Sequence, residues 1–241
     1  MIIIDFFKDI KVSKYTYIIV LLALITGQIK ELLGLFIILL SHEFGHYFIS
    51  KIFKWKIDKI YLYPFGGLIK YNEIIDKPFK EEFLIAISGI LNQLLVYLIF
   101  FLLYKNNIIN NYFFNILKNY NYSILFFNLI PIIPLDGSKI LNIILNKIFS
   151  FRRSYILLNI ISVLLLIIFI FKSNGGLLIV ILFLIYKIYL NVKERNLIFN
   201  RFILEKYLYK DDYKKICFIK EIKDMKRNKK NIKKHINNNM F

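Results

Sequence analysis

Two histidines four residues apart, His42 and His46, enclose a glutamate, Glu43, in the stretch Ser41-His42-Glu43-Phe44-Gly45-His46. On a helix that spacing puts both imidazoles on one face, close enough to hold one zinc ion. Glu43 lies beside them, placed to activate water at such a metal. The stretch ends an apolar run, Leu32 to Leu40. A helix rich in Leu, Ile and Phe has no structural need for two histidines and a glutamate. The alternative is a chance match, or polar residues capping a membrane helix. Ionisable groups inside an apolar span are costly and usually functional, which favours the metal site.

A catalytic zinc takes three protein ligands and keeps one position open. The third histidine, His235, and the single cysteine, Cys217, both lie in a charged tail remote from the motif. Between Glu82 and Glu194 the chain carries one acidic residue, Asp136. It follows Pro131 and Pro134, two prolines that cannot both sit in an undisturbed helix. Non-helical backbone at membrane depth is tolerated only against protein or a water-filled cavity. A lone carboxylate there must be protonated or meet a cation, and zinc is such a cation. The competing reading is an aspartate that caps a helix after the break. The expected site is one Zn2+ held by His42, His46 and Asp136, with Glu43 as general base of a hydrolysis.

The elements that must position these residues are apolar. The chain is 58% hydrophobic with a mean hydropathy of +0.56, too apolar for an ordinary soluble domain. The net charge of +18 favours anionic lipid as a partner. Nucleic acid is the rival partner of a basic chain, but no nucleic-acid fold motif is present, so none is expected. Lone Cys217 excludes an intrachain disulfide and a cysteine-based metal site. Lys8, Asp9, Lys11 and Lys14 precede the first apolar run with no small-residue cleavage site after it, so that run is expected to stay in the membrane.

The expected fold is an all-α polytopic membrane protein with about six transmembrane helices. An amphipathic lead-in, residues 1–14, lies on the membrane surface or simply leads in. A six-span domain covers 15–190: Tyr15–Gln28, Leu32–Phe53, Phe83–Tyr104, a broken fourth span from Tyr122, Tyr155–Phe171 and Gly176–Leu190. After span two, the alternating aromatic and aliphatic residues of Tyr61–Tyr71 around Pro64, Gly66 and Gly67 suggest a small β-hairpin. An interfacial loop, or an edge strand that pairs with an extended substrate, fits that spacing equally well. Gly89, Asn92 and Gln93 in span three suit close helix packing and interhelical hydrogen bonds. Residues 105–121 read as an Asn-rich connection. The basic tail, 191–241, holds 15 Lys+Arg against 6 Asp+Glu, is helical over Asn191–Lys210 and is disordered over Lys226–Asn239. The Lys-rich segments fall on one side of a six-span topology, which puts both termini in the cytoplasm.

The paired motifs His42-Glu43-Phe44-Gly45-His46 and Leu135-Asp136-Gly137 resemble those of the site-2 protease family of intramembrane zinc metalloproteases. The likeness extends to Tyr63–Gly67, Lys80–Phe83, Asn128–Gly137 and Arg201–Glu205, and is greatest to the sporulation type. It implies zinc ligation by His42, His46 and Asp136 and a base role for Glu43. It also implies substrate-binding or site-supporting roles for Phe65, Gly66, Gly67, Asn92, Asn128, Pro134 and Gly137. The implied substrate is a membrane-associated precursor, pro-sigma-K during sporulation, with inhibitory membrane proteins as partners. The implied location is the cell membrane or the mother-cell membrane around the forespore. Two departures are visible. Ser88-Gly89-Ile90-Leu91-Asn92 lacks the proline frequent in the family's third span, and residues 191–241 are too few for the CBS domain of close relatives. Two rivals stand beside this reading. One is a housekeeping site-2 protease acting on an anti-sigma factor or signal-peptide remnants. The other is a non-catalytic metal-binding membrane protein, which leaves Glu43 without a purpose.

Overall fold

The computed structural model of the chain describes residues 2–63, 66–72, 74–172, 178–209 and 215–233. These divide into two compact units, residues 1–73 with 84–129 and residues 74–83 with 130–241.

In the first unit, α1 (Ile2–Asp9) leads into β1 (Ile10–Val12), α2 (Lys14–Ile25) and α3 (Ile29–Ile52). β2 (Ile57–Tyr63) and β3 (Gly66–Tyr71) follow, then α4 (Phe79–Lys105) and α5 (Asn111–Leu129). The sheet runs β1-β2-β3, with β1 parallel and β3 antiparallel to β2. The N-terminal segment is therefore built into the fold. Phe6 of α1 is buried and meets Phe44 and Tyr47 edge-on, with ring centroids 5.3 and 5.2 Å away. Burying one such ring contributes about 1.5–3 kcal/mol. Ser13 caps α2, its Oγ accepting from the Thr16 N–H, and Thr16 Oγ1 donates to the Leu62 carbonyl of β2. A second core joins Ile38 and Leu39 of α3 to Leu62, Leu117 and Ile124.

The Asn-rich connection expected over 105–121 is mostly helix. Asn110 Oδ1 accepts from the Phe113 N–H at the start of α5. Phe114, Leu117, Asn121 and Ile124 then recur at helical spacing as its buried face. The other asparagines of the segment occupy the remaining faces and the cap, while Asn121 joins the buried one.

α3 and α4 have 24 and 27 residues, about 36 and 40 Å at 1.5 Å per residue, against about 30 Å of hydrocarbon. Leu91, Leu95, Leu98 and Leu102 form one exposed apolar face of α4, while Ile85, Ala86, Ser88, Gly89 and Gln93 are buried. An exposed leucine face of this length fits lipid and not water. The protein is an integral membrane protein.

The second unit contains the first turn of α4 and α6 (Asp136–Ile148), α7 (Phe151–Lys172), α8 (Leu178–Lys193) and α9 (Arg195–Leu208). It ends in β4 (Ile216–Ile219) and β5 (Lys230–Lys233), a parallel pair. α7 is also long and apolar enough to cross a membrane. Phe151, Phe202, Ile219 and Met225 form its core. The disorder expected from Lys226 onward is corrected as far as Lys233. The Arg227 guanidinium is buried and bonds Glu82 Oε1, Asp76 Oδ1 and the Ile75 carbonyl. Lys206 pairs with Asp76 from another side. Two cations on buried acceptors fix a segment whose composition reads as solvated. Burial pulls the Lys206 ammonium below the usual lysine range, and the Asp76 carboxylate opposes that shift.

Candidate metal centre

Nine residues of α3 are buried, and His42, Glu43 and His46 are among them. The helix turns its polar motif inward because α4 and β3 supply the partners that lipid cannot. The two rings meet nearly perpendicular, with centroids 4.7 Å apart, and their Nε2 atoms face each other at 3.1 Å. Two nitrogens about 2.0–2.1 Å from one tetrahedral ion lie about 3.3 Å apart, so this pair is already near ligand spacing. His46 Nδ1 is 2.6 Å from the Ile85 carbonyl, which can only accept. Nδ1 therefore carries the proton and Nε2 presents its lone pair. His42 Nδ1 lies 3.0 Å from Gln93 Oε1.

Gly89 of α4 lies directly against these nitrogens. A Cβ there would fall 2.4 Å from His46 Nε2 and 2.9 Å from His42 Nε2. Only glycine leaves room on that side. The convergent imidazole donors and the glycine-lined space beside them fit a zinc ion.

Glu43 Oε1 accepts the Gly67 N–H from β3 at 3.1 Å. A Cβ on Gly67 would lie 2.3 Å from Glu43 Cδ. The hairpin strand is thus pressed against the carboxylate it holds. β3 is an edge of the sheet, and at Gly67 its unpaired side faces Glu43. Gly66 has open space where a Cβ would go. Asn92 Nδ2 donates to the Ser41 carbonyl at 2.6 Å, tying α4 to the turn before His42. Asn128 sends its amide back to Ile124 O within α5. Phe65 lies outside the described residues, as does His235.

In the second unit a broken segment precedes α6. The Ile133–Pro134 bond is cis, and the Ile133 N–H donates to Ser162 Oγ on α7. Ser138 Oγ returns to the Leu135 carbonyl. Asp136 is the first residue of α6 and is buried, with Gly137 beside it. Its carboxylate lies in the first turn of that helix, where a negative charge is favoured, and pairs with Lys139 Nζ at 2.7 Å. Pro134 and Gly137 thus act locally, by ending one segment and starting the next.

From sequence alone Gln93 reads as a packing amide and Gly89 as a close-packing residue with no chemical role. Their signal was small or amide side chains at helical spacing inside an apolar span, which packing explains equally well.

Comparisons with known proteins agree with this geometry. Residues 30–108 match peptidase family M50. The chain is 34% identical to stage IV sporulation protein FB of Bacillus subtilis over 213 residues, covering 86% of this chain and 74% of that protein. It is 33% identical over 131 residues to the zinc metalloprotease MJ0392 of Methanocaldococcus jannaschii, covering 50% of this chain and 35% of that protein. Among solved structures, the site-2 protease from Methanocaldococcus jannaschii aligns with a TM-score of 0.59 at 27% identity, covering 76% of this chain and 91% of that one.

Proposed function

We propose that this chain, which belongs to peptidase family M50, the site-2 zinc metalloproteases, is an endopeptidase that cleaves a membrane-associated protein precursor through His42, Glu43, His46 and Asp136. The observation that carries the reading is the pair of Nε2 atoms converging at 3.1 Å on a buried helix face, with Glu43 beside them. In this reading Asp136 completes the ligand set, and one Zn2+ is held by the three side chains. The ion, when bound, polarises the scissile carbonyl and acidifies water.

The rest of the mechanism belongs to the chain. Glu43, steadied by the Gly67 N–H, takes a proton from the attacking water and passes it to the leaving amine as the peptide C–N bond breaks. A helical peptide bond is shielded, so the substrate must present an extended stretch. The outer edge of β3, which pairs with no other strand among the described residues, can pair with one and bring it to Glu43. Gly89 leaves the space that a reacting carbonyl needs. Six crossings with both termini in the cytoplasm place this site near the cytoplasmic face. The likeness to a sporulation protein supports a pro-sigma-K-type precursor as substrate, in the membrane around the forespore and under membrane-protein inhibitors.

Co-expression with a pro-sigma-K substrate tests the reading. Wild type should process it, while Glu43→Gln should leave it intact and retain zinc. Asp136→Ala should lose both cleavage and zinc. Equal processing by wild type and Glu43→Gln would refute the mechanism. Full zinc retention in Asp136→Ala would remove that ligand.

A further inference from the structure

We propose that Gln93 is a positioning residue for the metal centre: it fixes the tautomer and orientation of His42 through a polar relay that starts on Asn121. The inference rests on the reading of His42 as a ligand through Nε2, and it concerns what makes that possible.

Gln93 is fully buried, and so is Asn121 on α5. The Gln93 side chain lies 2.7 Å from the Asn121 backbone carbonyl and 3.0 Å from Asn121 Oδ1. A backbone carbonyl has no proton to give. The end of the Gln93 amide that faces Asn121 must therefore be the NH2. This leaves Oε1 facing His42 Nδ1 at 3.0 Å. An amide oxygen is also only an acceptor, so His42 Nδ1 must carry the ring proton. Its Nε2 is then the lone-pair atom, aimed at the lone pair of His46.

The two histidines reach this state by different means. His46 is held by the Ile85 main chain, which no side-chain substitution removes. His42 Nδ1 is met instead by a side chain, Gln93, which is itself held from α5. Without Gln93 the His42 ring can flip or change tautomer, and Nε2–H would then face the metal position. Partners of this kind typically change metal affinity 10- to 100-fold.

Gln93→Leu keeps size and removes the acceptor. Gln93→Glu keeps size and keeps a side-chain oxygen that accepts from Nδ1–H. Zinc affinity is read by chelator competition on the full-length purified protein in detergent, with the thermal midpoint of each apo form as a check on folding. The expected result is zinc affinity lowered about 10- to 100-fold in Gln93→Leu and restored to within about threefold of wild type in Gln93→Glu. Packing alone predicts the opposite order, because a buried carboxylic acid disturbs an apolar interface more than leucine does. Wild-type affinity in Gln93→Leu, or weaker binding in Gln93→Glu than in Gln93→Leu, would overturn the proposal.

Should neither variant fold, nitrogen-15 spectra of histidine-labelled, zinc-loaded wild type decide it. Protonated Nδ1 with metal-bound Nε2 on His42 supports the relay, and the reverse assignment refutes it. Wild type that binds no zinc, or His42→Ala that binds it undiminished, would overturn the ligand reading itself and the relay with it. Wild-type zinc affinity in Gln93→Leu overturns the relay alone.

Discussion

Gly67→Ala isolates the base from the metal. The new Cβ would stand 2.3 Å from Glu43 Cδ, 2.4 Å from Cγ and 2.6 Å from Oε1, so something must move. The obstructing atoms are the far end of a flexible side chain, and the carboxylate yields more easily than the strand does. Turning it away breaks the 3.1 Å bond from the residue 67 N–H. A hydrogen bond to a charged group is worth about 1.5–3 kcal/mol. At about 1.4 kcal/mol per factor of ten, kcat should fall roughly 10- to 140-fold. KM should change little. The proposed zinc ligands are untouched, so metal content should stay at the wild-type level. Folding stability should also hold, because alanine lowers the entropy of the unfolded chain by about 0.4–1 kcal/mol and offsets part of the strain. Gly66→Ala is the internal control, since nothing lies within 4 Å of its Cβ position. The assay is cleavage of a membrane-tethered peptide by purified protein, with bound zinc measured on the same samples. Equal kcat in Gly67→Ala, Gly66→Ala and wild type would refute the reasoning, and so would loss of zinc together with activity.

Other substitutions report on different parts of the molecule. Gly89→Ala places a methyl 2.4 Å from His46 Nε2 and should cost zinc binding as well as cleavage, which metal analysis on purified protein will show. Arg227→Met leaves Asp76 and Glu82 without the guanidinium they share and should cost about 3–5 kcal/mol, seen as faster hydrogen exchange over residues 215–233 and a lower thermal midpoint. Lys206 holds its proton less tightly in the folded chain than in the unfolded one. The unfolded chain then binds more protons, so stability should rise with pH from the folded value up to the ordinary lysine value of about 10.4, and Lys206→Met should flatten that slope in thermal melts.

Features with a local signature were legible in the sequence. The His-Glu motif declares itself because polar residues in an apolar helix are expensive, and Asp136 because it is a solitary acid just after two prolines. The buried face of α5 was equally available, with Phe114, Leu117 and Ile124 at helical spacing, but the asparagines between them masked it. The contact of Gly67 with Glu43 spans 24 residues, and a Gly-Gly pair two residues after a proline reads first as a turn. Arg227 was hidden by its neighbours. In a run of lysines it looks solvated, and only the tertiary placement of Asp76 and Glu82, about 150 residues upstream, gives it a buried role. An arginine among lysines was the one clue, since its fork suits two carboxylates where an ammonium does not.

The polar groups along the motif turns of α3 share one property. Each has a partner on another element: Gly67 for Glu43, Ile85 O for His46, Gln93 for His42, Asn92 for the Ser41 carbonyl. In water such partners would be optional. In an apolar surrounding an unmet donor or acceptor costs about 1–3 kcal/mol, so the partners and the motif are selected together. It follows that the proline-free third span does not require a different chemistry. Its duties at this helix are to supply Gly89, Asn92, Gln93 and the Ile85 carbonyl at the right heights. An unbroken α4 from Phe79 to Lys105 supplies all four.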